Sequence, residues 1–354
     1  MKGRALVYGA TGKAGADIVR QLIAEGVDVV LGGRDLGRVA TIAGASGRPY
    51  RTFPVALGAM IDEALADVDV VLNAAGPFLE TASPMMAACI RTRTHYLDLA
   101  GEWPVFAEAQ DLSSAAKAAS VMLTPGAGFT VVASDCLLAL AAKARPDTVK
   151  LRLAVSRPDA VSRATVRSLS ALIGPDIYVR RDGILVPQPV GRLSRDVDFG
   201  EGPRETTAVC WPDIITAQFT TGIGNIETYA ESDWVQRSLH RVSASASALL
   251  SRRASRALSD VVSLAWPHSA NQRGDFVVVV EAVDRWRRTT PFRMRLGDGH
   301  QVSIVTACAM VKRVLEGDWA PGFRSPASLH GPQFIFDLGC ARLEDVRNLT
   351  LAVS

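Results

Sequence analysis

Lysine is scarce in this sequence: six among 354 residues, so that arginine supplies most of the positive charge. Long apolar runs are missing as well. The longest, around Cys136–Ala142 and Phe276–Val280, fall well short of the roughly eighteen residues that a membrane span needs. An integral membrane protein is therefore not expected. The five cysteines (Cys89, Cys136, Cys210, Cys308, Cys340) are scattered, and no two have CxxC spacing. Metal and redox-motif readings lack support, no metal is expected, and an odd, dispersed set suits a reducing compartment. No charged leader followed by an apolar stretch opens the chain, so the expected location is cytoplasmic. Charge of one sign is not in excess either. The net charge is +3 and the isoelectric point is near 8.7, too little to argue for nucleic-acid binding.

What is present is ordinary for a folded chain: 48% hydrophobic and 21% charged residues, with a mean hydropathy of +0.15. The length allows two domains, perhaps with a small insertion, and a large buried core. Residues 4–8 read as a buried strand. They run into Gly9-Ala10-Thr11-Gly12-Lys13-Ala14-Gly15, then into a helical pattern (Ile18, Val19, Leu22, Ile23) that stops at Gly26. A second strand, Val27–Leu31, closes on Gly32-Gly33-Arg34. Strand, GxxGxxG loop, helix and strand within about thirty residues is a dinucleotide-binding arrangement. Gly9 permits the tight turn, Gly12 lets the backbone approach a pyrophosphate, and Gly15 lets helix and strand pack closely. Thr11, Lys13 and Ala14 lie between them, where the helix N-terminus offers free N–H groups to phosphate.

The end of the second strand bears on cofactor choice. An NAD site usually carries Asp or Glu there for the ribose 2′-hydroxyl, whereas this chain has Arg34, with Arg38 one turn further on. A guanidinium pairs with a 2′-phosphate. NADP(H) is thus expected over NAD(H), although Asp35 adjoins Arg34. A further strand, Asp67–Leu72, leads into Asn73-Ala74-Ala75-Gly76-Pro77-Phe78, and ligands sit outside the carboxyl ends of such strands. Ala74, Ala75, Gly76 and Pro77 are accordingly cofactor-site candidates. A helix is predicted over Ser83–Arg91 with Pro84 in its first turn. Next come a strand and loop at His95–Glu102, a helix at Trp103–Ala119, and a strand at Ser120–Leu123 before Thr124-Pro125-Gly126-Ala127-Gly128-Phe129. A doubly wound parallel sheet is expected to be complete by about residue 130.

GATGKAG, LGGR, VVLNAAGPF, HYLDLAGE and TPGAGF with Ser134-Asp135 together resemble the saccharopine dehydrogenase-like reductases. The closer resemblance is to the branch containing trans-acting enoyl reductases. Gly222-Ile223-Gly224-Asn225-Ile226-Glu227-Thr228-Tyr229, a helix Val302–Leu315 before Pro321-Gly322-Phe323, and Gly331-Pro332-Gln333-Phe334 agree with it more loosely. The resemblance implies an NAD(P)-dependent oxidoreductase acting on a C=N bond or an activated C=C bond of a small or lipid/polyketide-like substrate. It also implies an α/β fold: a Rossmann domain (1–135), a second α+β domain with a mixed or antiparallel sheet (136–297), and a C-terminal segment (298–354) returning to the Rossmann domain. There are departures. Pro54-Val55-Ala56-Leu57 stands where an acidic residue often faces adenine, and enoyl-branch relatives tend to be longer.

In the rest of the chain, strands are expected at Leu151–Val155, Tyr178–Arg181, Gly183–Val186, Thr206–Trp211, Phe276–Val283 and Phe292–Leu296, with a helix over Val161–Ile173. Residues 233–265 alternate apolar positions at helical spacing with Arg237, Arg241, Arg252, Arg253 and Arg256. This is either an ordinary surface helical hairpin, the commoner case, or a face that touches lipid or substrate. The expected partner is a small-molecule substrate and not nucleic acid. Peripheral membrane contact, the less favoured reading, and homodimerisation stay open.

Catalytic groups are harder to read. A tyrosine with a lysine four residues later would signal short-chain dehydrogenase chemistry. Tyr8, Tyr50, Tyr96, Tyr178 and Tyr229 are followed at that spacing by Gly12, Pro54, Ala100, Asp182 and Asp233. No GxSxG or Cys–His context appears. His95, Tyr96, Asp98 and Glu102 cluster at a strand's carboxyl end, and Asp98 is a catalytic candidate there, with a hydrogen-bond strut as the blander alternative. Tyr229 is a second, as a proton donor from the other domain, or simply a packed ring. His95 reads as structural. Two other functions stay open: a sensor or partner protein that binds NADP(H) without turnover, and an enzyme that retains its cofactor for a net isomerisation or cyclisation.

Overall fold

The computed structural model describes residues 3–156, 176–231 and 275–344. The expected helix at 161–173 and the basic stretch at 233–265 lie outside the described residues. The described chain divides into two compact units. One takes residues 1–132 and 300–331, the other residues 133–299 and 332–354.

The first unit is a parallel sheet of seven strands: β1 (Arg4–Tyr8), β2 (Asp28–Gly33), β3 (Tyr50–Thr52), β4 (Val70–Asn73), β5 (His95–Asp98), β6 (Met122–Thr124) and β15 (Gly322–Phe323). Their order across the sheet is β15-β6-β5-β4-β1-β2-β3. β1 is paired on both sides, to β2 and to β4, and Ala5, Leu6 and Val7 are fully buried. Such continuous apolar strands are what a parallel sheet covered on both faces requires. The helices are α1 (Lys13–Ala24), α2 (Leu36–Ser46), α3 (Gly58–Leu65), α4 (Phe78–Thr92), α5 (Trp103–Asp111) and α6 (Ser113–Ala118). α1 buries Ile18, Val19 and Leu22 of the stripe read from the sequence, together with Gly15, while Ile23 is half-buried.

Three details differ from the sequence reading. α4 begins at Phe78, so Pro84 lies inside the helix, not in its first turn. Its buried stripe (Ala82, Met85, Met86, Cys89) continues on both sides of the proline, and packing outweighs the lost backbone bond. The expected helix over 103–119 breaks into two at Leu112. The sheet is not complete by residue 130, because its edge strand β15 arrives from the far end of the chain and pairs with β6. It comes by way of α9 (Gly299–Leu315), which the sequence placed at Val302–Leu315.

The second unit opens with α7 (Phe129–Ala144), whose first residues belong to the first unit. Its sheet holds β7 (Thr148–Val155), β8 (Asp176–Arg181), β9 (Ile184–Pro189), β10 (Ser194–Asp198), β11 (Pro203–Val209), β12 (Ile226–Glu231), β13 (Phe276–Asp284), β14 (Thr289–Leu296) and β16 (Ala341–Glu344). β12 and β7 are parallel and the other pairings antiparallel, so the sheet is mixed. α8 (Asp213–Thr221) packs beside β12. The sequence reading sent all of 298–354 to the Rossmann domain. Residues 300–331 are in that unit, but β16 is hydrogen-bonded to β14 in the other sheet. The short helices α10 (Pro326–His330) and α11 (Phe334–Asp337) lie on either side of that crossover. Among the described residues no helix is long and apolar enough to cross a membrane.

Candidate functional site

The glycine loop leaves β1 and enters α1 at the carboxyl edge of the first sheet. Gly9 has φ +89°, a backbone state that side chains rarely adopt. Its N–H and that of Ala10 both donate to the Gly32 carbonyl, at 2.9 and 3.1 Å, tying the loop to β2. A Cβ at Gly9 would meet the Ala75 nitrogen at 2.8 Å, so the β4 loop sits directly against this turn. A Cβ at Gly15 would lie 2.2 Å from the Gly9 carbonyl oxygen, an impossible approach. Gly12 is exposed and caps α1 with no side-chain hydrogen bond, and the first turn carries no acidic residue. The N–H groups of Lys13, Ala14 and Gly15 stand in the first turn, at the positive end of the helix dipole. That is an anion cradle, and a phosphate-bearing nucleotide suits it because Gly9, Gly12 and Gly15 bring no Cβ into the loop.

β2 extends two residues beyond the expected Leu31, which carries Arg34 to the rim. Arg34 is exposed, and its positive charge acts on the buried phenol of Tyr8. Asp35 is turned into the start of α2. Its carboxylate accepts the Arg38 N–H at 3.0 Å as the N-cap of α2. The Arg38 guanidinium donates to the Thr11 carbonyl at 3.2 Å, placing a second cation against the glycine loop. Tyr8 donates to the Phe53 carbonyl at 3.0 Å and its ring packs on Phe53, closing the floor beside β3. The sequence reading had Arg38 beside Arg34 but missed the capping role of Asp35, for which an Asp directly before a helical stretch was the signal.

The β4 loop completes the rim. Ala74 donates to the Tyr8 carbonyl at 2.8 Å, and the Ala75 N–H to Asn73 Oδ1 at 3.1 Å. Thr81 donates to the Ala75 carbonyl at 2.7 Å, so α4 holds the loop from below. Gly76 and Pro77 are exposed. Gly9, Thr11, Gly12, Lys13, Ala14, Gly15, Arg34, Ala74, Ala75, Gly76 and Pro77 thus line one edge of one unit.

Asp98 lies beside Asn73 in the β4/β5 register but is fully buried. One oxygen accepts the N–H groups of Ala100 (2.8 Å) and Gly126 (2.7 Å), and the other accepts the Tyr96 hydroxyl at 2.8 Å. Burial pushes its pKa up to about 7. Asn73 reaches the Tyr96 hydroxyl at 3.4 Å, so the chain Asn73–Tyr96–Asp98 runs beneath the strand ends. The carboxyl group therefore braces the β5 and β6 loops and has no free edge. Glu102 is also buried and accepts the neighbouring Gly101 N–H. His95 accepts the Met122 N–H through Nδ1, and its ring packs at 4.1 Å from Trp319; burial lowers its pKa to about 4, which fits a structural role. The β6 loop is held in turn by α9: Ser303 Oγ accepts the Phe129 N–H and Thr306 donates to the Ala127 carbonyl.

Tyr229 lies in the second unit, where it is 4% exposed. Its hydroxyl donates to Glu227 at 3.0 Å, and burial, with the Glu227 charge beside it, pushes its pKa up. The proton stays on the phenol oxygen and points at a carboxylate. Among the described residues, no group of three or more His, Cys, Asp or Glu side chains is placed to hold a metal.

Comparison with known proteins agrees with this geometry. Residues 5–124 match the family model of the saccharopine dehydrogenase NADP binding domain. A Mycobacterium tuberculosis protein provisionally named a trans-acting enoyl reductase is 33% identical over 108 residues, covering 28% of this chain and 26% of its own. The trans-acting enoyl reductase of Mycobacterium leprae is 30% identical over 140 residues, covering 37% of this chain and 33% of its own. The chain thus matches only about a quarter to a third of the length of these relatives. Saccharopine dehydrogenase (L-Glu forming) from Saccharomyces cerevisiae, solved in its apo form, superposes with a TM-score of 0.64 at 13% identity, over 97% of this chain and 100% of that one. The likeness over the whole length is one of fold. Residues 5–124 are similar to the saccharopine dehydrogenase NADP binding domain, and the chain shares the fold of the yeast saccharopine dehydrogenase.

Proposed function

We propose that the protein is an NADP(H)-dependent oxidoreductase that reduces a polarised double bond, an activated C=C or a C=N, in a small or lipid/polyketide-like substrate. The observation that carries this reading is the rim of the first unit. An uncapped helix start stands beside two guanidinium groups, and the adjacent Asp35 carboxylate is held as the N-cap of α2. The named enoyl reductases among the relatives favour C=C over C=N. When bound, the cofactor supplies the hydride. The chain supplies the cradle at residues 12–15, the 2′-phosphate contacts at Arg34 and Arg38, and a rigid floor under the reacting end through Asp98, Tyr96 and Asn73. Asp98 acts in this reading as a positioning residue, since both of its oxygens are occupied by loop and tyrosine donors. Tyr229 is likewise not the proton source, and water protonates the product carbon or nitrogen.

The test is calorimetric titration with NADPH and with NADH, followed by NADPH oxidation in the presence of enoyl thioesters and of cyclic imines. Tight NADPH binding, weak NADH binding and oxidation by one substrate class are expected. Tight binding without oxidation by either class would overturn the reductase reading and leave an NADP(H)-binding protein without turnover.

A further inference from the structure

On one face of the second sheet, Glu227 is a buried carboxylate surrounded by donors. Lys150 Nζ lies 2.8 Å from its Oε1 and Arg152 Nε 3.3 Å from its Oε2. Arg181 pairs with the same carboxylate, and the Tyr229 hydroxyl donates to it. Strand register extends the row. Glu227 stands opposite Arg152 on β7, and Arg152 opposite Glu281 on β13. Arg152 reaches Glu281 at 3.4 Å, and Arg195 from β10 grips Glu281 with both Nη atoms, at 2.7 and 3.1 Å. The Arg195 guanidinium also stands 5.7 Å above the Tyr229 ring.

The charges do not balance. Among the described residues four cations meet two carboxylates in this lattice, and the four cationic side chains are only 19–37% exposed. Water screens such a surplus poorly. Lys150 registers the crowding: burial and the neighbouring Arg152 and Arg181 lower its pKa against the pull of Glu227. A purely structural ion-pair network has no need of the imbalance. Planar guanidinium forks on adjacent strands are instead suited to oxyanions.

We propose that Lys150, Arg152, Arg181 and Arg195 form a binding site for a small oxyanion of about two negative charges, a phosphate monoester or a pair of carboxylates, that anchors the substrate. Glu227 and Glu281 space the cations, and Tyr229 locks the inner carboxylate. The substrate half of this statement rests on the reductase reading above; the anion site itself does not.

The experiment is calorimetric titration of the full chain, saturated with NADP+ so that the nucleotide site is filled, with inorganic phosphate and separately with malonate, at constant ionic strength set by chloride. Saturable binding of at least one is expected, and the tighter of the two identifies the source chemistry. Arg195→Gln should weaken it about tenfold or more, while Glu281→Gln should tighten it, because the first removes a fork and the second a competing carboxylate. If Arg195→Gln fails to fold, the sign of the Glu281→Gln change decides. No binding above the chloride control, or binding that neither variant moves, would overturn the proposal. Anion binding without NADPH oxidation would sink the reductase reading and leave this site standing. Oxidation of neutral substrates without anion binding would do the reverse.

Discussion

Replacing Gly15 by alanine tests the account of the nucleotide cradle most directly. The new Cβ would sit 2.2 Å from the Gly9 carbonyl oxygen and 2.9 Å from its carbon. Relief needs about 1 Å of movement between the start of α1 and the turn after β1, since packed atoms essentially never approach so closely. The obstacle is backbone and cannot rotate away. The same oxygen accepts the Gly12 N–H at 2.9 Å, so moving it also loosens the bond that shapes the loop. Overpacking of this kind costs about 1–3 kcal/mol or more, and a disturbed hydrogen bond adds about 1 kcal/mol. Against that stands a gain of up to about 1 kcal/mol from alanine's better helix propensity. The net expectation is a loss of about 2–3 kcal/mol in denaturant unfolding, with NADPH affinity reduced about tenfold or more because the first-turn N–H groups are displaced. Gly44→Ala supplies the control. Gly44 is an exposed glycine inside α2 with nothing within 4 Å of the added carbon, so that variant should gain about 0.5–1 kcal/mol and bind NADPH unchanged. Equal stabilities for the two variants, or a Gly15→Ala protein with undiminished affinity, would refute the reasoning.

Arg34→Asp should weaken NADPH binding about a hundredfold and NADH binding little, because it removes a charge-assisted contact and adds repulsion at the 2′-phosphate; equal losses in a titration would remove Arg34 from that role. Asp35→Ala should cost about 1 kcal/mol in thermal or denaturant unfolding through loss of the α2 cap. Asp98 has a folded-state pKa raised to about 7, so its contribution to stability is full below about pH 4 and is lost as pH rises through 7. A pH series of unfolding free energies should therefore show a shallower decline over that window for Asp98→Asn than for the unaltered chain. Cys89, Cys136 and Cys308 are buried with their thiol pKa values pushed up; they should react with a thiol reagent only at the rate of unfolding, whereas fast labelling of any of them would contradict the packing.

The nucleotide half was legible because its chemistry is local. Three glycines, the strand before them and Arg34 after the next strand sit within thirty-odd residues, and each answers to a steric or charge requirement that sequence displays directly. The Asp98 brace was only half legible. Its place at a strand end could be read, but its burial depends on Tyr96 of its own strand and Gly126 of the loop after β6 closing on it. Pro84 misled because proline propensity is a local rule and the Met85–Cys89 packing stripe is not. β15 is two residues long and has no periodicity to read, and β16 depends on pairing with β14. The Glu227 lattice left only the faint alternation Lys150-x-Arg152 and Glu227-x-Tyr229, ordinary for any strand with a polar face. The row appears when register lines up β12, β7 and β13.

The pairing of β15 with β6 has a consequence for how the chain comes to be. Met122 waits for Gly322, some 200 residues downstream. During synthesis β6 therefore emerges as the bare margin of a nearly finished parallel sheet. Its unpaired amides stay open to any passing extended segment while residues 133–299 of the second unit are being made. Closing so distant a contact is slow, and slow closure lengthens that exposure. The last act of folding for the nucleotide-binding unit is thus the arrival of α9 and two residues of strand. A ribosome stalled before residue 322 would hold a protein whose cofactor loop is built but whose edge is still adhesive.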